Sequence, residues 1–188
     1  MKLPLFPLSS HILPDGRMAL RIFEPRYVRM VKEACASDSG FVISMVNSQG
    51  NNEENTHMFP VGTLCRVIDF DVLEDGLLGV TVEGVECVTI ADIETEQDGL
   101  RVGACEAVPK WQCEVSNAQL HPIDTRLKEI FAQYPEVSSL YSETHFDDTV
   151  WVINRWLELL PVGAEQKQHF ISQTDCSKVL NYLTQLIE

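Results

Sequence analysis

The spacing of apolar residues changes near Trp111, and this change limits what the chain can fold into. Before Trp111, apolar residues recur at every second position, as in Ile68, Phe70 and Val72, and this period is typical of half-buried β-strands. After Trp111 they recur at the helical period of about 3.6 residues. We therefore predict an α+β protein with a β-rich lobe over residues 1–110 and a helical lobe over residues 111–188.

The first lobe contains patterns for about six strands and one helix. Asp75-Gly76 predicts a hairpin turn, Gly84 predicts a bulge or bend, and the polar segment 47–56 predicts an exposed loop. Pro25 suits the first turn of a helix. About six strands in a lobe of this size are typical of a small barrel or sandwich. The predicted strands cover 18–22, 41–46, 64–72, 78–82, 85–93 and 100–108, and the helix has a core-facing stripe of Tyr27, Met30, Val31 and Ala34.

The second lobe contains four predicted helices. Pro161 ends one of them, and Asp175 is placed to cap the last. In that last helix the apolar residues form one face, which must be buried against a neighbour. The four helices are predicted over 123–133, 149–160, 164–172 and 176–187.

The chain is strongly acidic, with a net charge of −14 over 188 residues. A charge of this sign repels phosphate backbones and anionic lipid surfaces, so nucleic acid is an unlikely partner. The charge is also uneven. Residues 1–33 contain six basic and three acidic residues, whereas residues 34–110 contain three basic and fourteen acidic residues. We expect these two segments to pair with each other.

Membrane segments and metal-binding patterns are not found in the sequence. The apolar run 3–8 contains two prolines and is too short for a secretory signal, and no other run approaches the roughly 18 residues of a membrane span. We therefore expect a cytoplasmic protein whose six cysteines are free, mostly buried thiols. There is no C-x-x-C and no H-x-x-x-H, so neither a metal nor a cofactor is predicted.

An ordered set of motifs lies along the chain at 3–8, 13–27, 61–63, 80–84, 157–161 and 165–168. Together these motifs resemble the N-terminal substrate-binding domain of the Lon protease family. The resemblance implies a PUA-like β-barrel joined to a helical bundle, a role in recognising unfolded or tagged polypeptide, and a protease as a candidate partner. None of the six lysines follows a glycine, so the Walker A loop of the Lon ATPase is not present, and the chain resembles the small stand-alone Lon-domain proteins.

We assign no catalytic residue and predict a non-catalytic polypeptide-binding module, with an adaptor or regulator in proteolysis as its candidate role. Two alternatives stay open. The chain could be an RNA-binding PUA-like protein, or it could be a stand-alone hydrolase with an unrecognised Cys-His dyad. The aromatic candidates could instead close the core, and the arginines could form internal salt bridges. The candidate binding residues are Arg21, Phe23, Arg26, Met58 and Phe59, chosen because apolar side chains exposed together near loops would suit unfolded chain.

Overall fold

The structure, a computed structural model, describes residues 1–113 and 115–187, with every side chain in these ranges except that of Asn117. The chain divides into two compact units, Met1–Val108 and Pro109–Glu188. The first unit contains all six named strands and one helix. These elements are β1 Lys2–Leu8, β2 Arg17–Ile22, α1 Pro25–Ser37, β3 Phe41–Met45, β4 Val61–Val72, β5 Leu78–Thr95 and β6 Arg101–Ala107.

The six strands form one sheet in the order β2-β5-β4-β3-β1-β6. Neighbouring strands are antiparallel except β1 and β3, which are parallel. Strand β6 also pairs with the second half of β5, so the pairings of β1, β3, β4, β5 and β6 form a closed ring. Strand β2 pairs with the first half of β5 and lies outside this ring.

Strand β5 differs from the prediction of two strands that meet at Gly84. It is one continuous strand with a bulge, because Cys65 pairs with Gly84 and Leu64 pairs with Glu86, which leaves Val85 without an opposite residue. A Cβ atom on Gly84 would lie 2.3 Å from the carbonyl oxygen of Leu13. The glycine therefore lets the chain pass close by without breaking the strand.

Helix α1 covers one end of the sheet with the stripe of residues that the sequence predicted. Tyr27, Met30 and Val31 are buried, as is Ala34. The ring of Phe6 on β1 contacts that of Tyr27, with centroids 4.3 Å apart. Because α1 follows β2 directly, this packing fixes the end of β2 and the two residues between them.

The second unit is helical. The four predicted helices are confirmed, each with ends within one residue of the prediction. Two short helices were not predicted from the sequence. Trp151 centres an aromatic cluster, with ring centroids 5.8 Å from Phe131 and Tyr141 and 5.3 Å from Phe146. The helices are α2 Asn117–Leu120, α3 Ile123–Gln133, α4 Pro135–Ser138, α5 Thr149–Leu159, α6 Ala164–Ile171 and α7 Ser177–Ile187.

The expectation of free thiols is wrong for two of the six cysteines. Cys113 and Cys176 form a disulfide, with their Cα atoms 5.7 Å apart. An isolated β-bridge between Gln112 and Asp175 brings the two segments together, which their separation of 63 residues in the sequence did not reveal. Cys35 is free but exposed.

Within residues 1–113 and 115–187, no helix has both the length and the apolar character needed to cross a bilayer.

Candidate functional site

The distal half of β4 has a neighbouring strand on one side only. In the described residues β3 pairs with β4 at Thr63, Leu64 and Cys65, whereas the pairing of β4 with β5 continues to Val72. Residues 66–72 therefore form a sheet edge. Together with β2 and the first half of β5, they make a three-stranded section that extends beyond the ring of pairings.

Apolar side chains at the end of this section are exposed to solvent. Phe70 is 63% exposed and Val72 is 71% exposed. Both lie on the face that is buried further along the sheet, because Phe70 pairs with Val80, which is only 2% exposed. The face of the sheet that forms the core therefore extends beyond the part that other residues cover. We call Phe23, Ile68, Phe70 and Val72 the apolar patch; each of these side chains is at least 37% exposed.

Phe23 lies at the same end of the section as Val72. It follows Ile22, which pairs with Leu78, and Leu78 in turn pairs with Val72. Phe23 is 68% exposed, so the interpretation that it closes the core is wrong. Isolated exposed apolar residues are ordinary on protein surfaces, whereas several on one section of sheet are typical of an interaction site.

Two carboxylates cover the backbone of the β4 edge. Oδ1 of Asp69 accepts a hydrogen bond from the backbone N–H of Phe70 at 2.9 Å, and Oδ1 of Asp71 accepts one from the N–H of Val72 at 2.8 Å. These N–H groups would otherwise be free to pair with another strand. Charged residues on an edge oppose uncontrolled pairing, and here they also satisfy the edge donors.

The same three-stranded section borders a cavity of about 760 Å³, and Phe70 is one of the residues that line it. Its wall includes Asp69, Asp71 and Glu74. Gly79 also lines the cavity, and a Cβ atom at this position would lie 2.8 Å from the Leu73 side chain. Arg21 also lines the cavity. The cavity therefore combines carboxylates with apolar walls, to which Leu20, Phe70 and Val80 contribute.

The two candidate arginines are engaged within the protein. The exposed Arg21 forms an ion pair with Asp75 in the hairpin turn. Arg26 is half-buried, donates to Glu24 at 3.0 Å and to the carbonyl oxygen of Gly99 at 3.0 Å, and lies over the ring of Tyr27. The internal salt bridges anticipated from the sequence are present at both positions.

The candidates on the second loop are not jointly exposed, which corrects the expected patch. Met58 is only 6% exposed and packs in the core with Leu3 and Val42. Phe59 is half-buried, and its backbone N–H donates to the carbonyl oxygen of Met45. The segment lies alongside β3 and alternates like a strand, so Met58 points into the protein.

The environments of two strand cysteines oppose nucleophilic chemistry. Burial raises the pKa of the Cys87 thiol to about 11, and burial also raises the pKa of Cys105. Both groups are therefore protonated at neutral pH, and a thiol is a poor nucleophile compared with a thiolate. In the described residues no three His, Cys, Asp or Glu side chains are grouped as potential metal ligands.

The fold is that of Lon N-terminal domains. A crystal structure of a Lon N-terminal domain protein from Xanthomonas campestris is 25% identical, with a TM-score of 0.76 and coverage of 98% of both chains. The N-terminal domain of the Mycobacterium avium complex Lon protease shares the fold at 13% identity, with a TM-score of 0.68 over 98% of this chain and 97% of that one.

Residues 2–188 match the family model of the ATP-dependent protease La (LON) substrate-binding domain, and the chain belongs to this family. The Lon protease of Xanthomonas oryzae pv. oryzae (strain KACC10331 / KXO85) is 24% identical over 200 residues. That alignment covers 100% of this chain but only 23% of the relative. The chain therefore spans about a quarter of the length of this relative.

Proposed function

We propose that this chain recognises unfolded or extended polypeptide through the apolar patch at the end of β2, β4 and β5. The observation that carries the proposal is the exposure of Phe70 and Val72 on the face that forms the core elsewhere in the sheet. Burying these side chains against apolar residues of a client would release water from both surfaces. Because apolar contacts do not depend on one order of residues, such a surface can bind clients of different sequence.

The edge of β4 suits a client that binds as a strand. Extended peptides commonly add to free sheet edges, where main-chain hydrogen bonds provide affinity and alternate side chains enter neighbouring pockets. A client strand would have to displace the Asp69 and Asp71 carboxylates from the edge N–H groups. Since those carboxylates stay nearby, client segments with basic residues beside apolar ones are expected to bind best.

The remaining parts of the proposal rest on family membership and on the sequence. They are a non-catalytic role, an adaptor or regulator function with a protease as partner, a PUA-like barrel formed by the ring of strand pairings, and a cytoplasmic location. The Cys113–Cys176 disulfide weighs against the last of these, because such bonds are more usual in oxidising compartments.

The test is chemical-shift mapping with a permanently unfolded client, such as a reduced and alkylated polypeptide that contains both basic and apolar residues. We expect saturable shifts at residues 20–23, 66–72 and 78–80. Residues 151–153 serve as an internal control, because all three are buried in the second unit. Absence of shifts at high micromolar client, or shifts confined to the helical unit, would refute the proposal.

The same chemical-shift titration, carried out with single-stranded RNA at increasing salt, tests the RNA alternative. A backbone-directed RNA complex weakens steeply as salt increases, whereas an apolar contact does not. Binding of a single-stranded RNA with such a salt dependence, and no binding of the unfolded client, would favour the alternative.

A further inference from the structure

A second cavity, of about 280 Å³, lies in the first unit and differs in charge from the rest of the protein. Its polar lining includes Arg26, Arg101, His57 and the buried Tyr27, and its apolar lining includes Pro7 and Val46. Two guanidinium groups thus line one small cavity in a chain with a net charge of −14. It shares no lining residue with the cavity of about 760 Å³ beside β4.

Arg101 is a cation whose hydrogen bonds all go to neutral oxygens. Its Nε donates to Oδ1 of Asn55 at 3.2 Å, its Nη1 to the carbonyl oxygen of Gly99 at 2.9 Å, and its Nη2 to the carbonyl oxygen of Asn52 at 3.0 Å. Among the residues that the structure describes, no carboxylate lies within ion-pair distance of Arg101. The other cavity arginine, Arg26, pairs with Glu24.

His57 contributes a polar atom that has nothing to bind. Its Nδ1 is fully buried and has no hydrogen-bond partner in the described part of the chain. Burial lowers the pKa of His57, and the positive charges of Arg101 and Arg26 lower it further. The imidazole is therefore neutral at pH 7 and can present an N–H at Nδ1. A buried donor without a partner is costly, and a ligand oxygen would remove that cost.

We propose that this cavity is a carboxylate-binding site in which Arg101 supplies the charge and His57 and Arg26 border the bound group. One uncompensated guanidinium balances one negative charge, and the planar fork of arginine matches the two oxygens of a carboxylate. Pro7 and Val46 provide apolar walls for a short aliphatic group attached to it. The cavity is slightly below the usual ligand range of about 300–1,000 Å³, which suits one or two residues or a small acid.

The C-terminus of a polypeptide and a free aliphatic carboxylic acid share this chemistry. Assignment to a chain terminus rests on the proposed polypeptide recognition, whereas the site itself does not. If the apolar patch fails to bind unfolded client, the carboxylate site can still be present. If the carboxylate site is absent, shifts at Phe70 and Val72 with client are unaffected. The two failures are therefore distinguishable.

The experiment follows the imidazole signals of the five histidines in the full chain by NMR. The probes are acetyl-Ala-Ala-Leu with a free carboxylate, its C-terminal amide, isobutyrate and inorganic phosphate. We expect the free acid to shift His57 saturably, leave the other four histidines unchanged, and raise the pKa of His57 because a bound anion stabilises the imidazolium. The amide should bind at least tenfold more weakly.

Two variants separate the site from a general charge effect. Arg101→Gln should weaken binding of the free acid at least tenfold, whereas Arg126→Gln, which removes an exposed cation from the helical unit, should leave it unchanged. If Arg101→Gln disturbs the fold, Arg101→Lys retains the charge but loses the fork, and we expect an intermediate affinity.

The outcomes decide both the site and its ligand. Tighter binding of the peptide acid than of isobutyrate supports a chain terminus, and equal binding supports a free carboxylic acid. The proposal is overturned if acid and amide shift His57 equally, if only phosphate binds, or if no probe shifts His57 at 10 mM. A probe concentration of 10 mM detects a site with a Kd of about 10 mM, which binds about 1.4 kcal/mol more weakly than a site with a Kd of about 1 mM.

Discussion

Replacement of Phe70 by serine is the most direct test of the apolar patch. Phe70 is 63% exposed, so the folded protein loses little packing when the ring is removed. We expect the free energy of unfolding to change by no more than about 0.5 kcal/mol, as is usual for surface substitutions. Client binding should change much more, because the exposed ring is the largest apolar surface on the β4 edge.

The size of the effect follows from the area of the ring. Full burial of an aromatic side chain removes roughly 200 Å² from water, so the exposed 63% offers about 125 Å² to a client. At about 25 cal/mol per Å² this is worth up to about 3 kcal/mol. A client that covers half of it would gain about 1.5 kcal/mol, so Phe70→Ser should raise the Kd about tenfold.

The assay is fluorescence anisotropy with a labelled, reduced and alkylated polypeptide, with unfolding in urea as a check on folding. Leu186→Ser is the matched control, because Leu186 is 53% exposed but belongs to the helical unit. A Kd for folded Phe70→Ser within twofold of the parent would refute the reasoning. An equal loss in Leu186→Ser would show that apolar surface in general, and not this patch, binds the client.

Three further predictions concern stability. Gly84→Ala should cost about 1–3 kcal/mol in urea unfolding because the added methyl meets a backbone carbonyl, whereas Gly163→Ala, with nothing within 4 Å, should change little. Hydrogen bonds from Arg29 lower the pKa of Asp98 to about 2. This interaction therefore stabilises the fold above pH 4 and is lost as the pH falls through 2, so Arg29→Gln should lower the urea midpoint at pH 7 but not at pH 2. Cys176→Ser opens a loop closed across 63 residues and should destabilise the second unit by up to about 4 kcal/mol, read from tryptophan fluorescence.

Much of the fold could be predicted from the sequence because the local patterns are strong. The helical stripe on α1 and the turn at Asp75-Gly76 depend on residues close together in the chain, and both are confirmed. The continuity of β5 could not be predicted, because it depends on how Gly84 fits against Leu13 across the sheet. Sequence separation likewise concealed the Cys113–Cys176 disulfide.

The sequence predicts the candidate site only in part. It makes Phe23 a candidate, whereas its alternation predicts Phe70 and Val72 only as part of an ordinary half-buried strand. Alternation reveals that two residues share a face, yet it does not reveal where that face stops being covered. The pairing pattern, in which β3 begins at Phe41 opposite Cys65 while β4 continues to Val72, leaves Phe70 in solvent.

The pairing of charges explains why apolar surface is a better candidate for client contact than the basic segment near the amino terminus. The expected pairing between the two segments is present, because three arginines of that segment bind carboxylates from the strands and turns that follow. Such engaged cations offer little to a phosphate backbone, which disfavours RNA more strongly than net charge does. Arg101 is outside this pattern and is the cation that we assign to a ligand. The pairs are Arg17–Glu83, Arg21–Asp75 and Arg29 with Glu96 and Asp98.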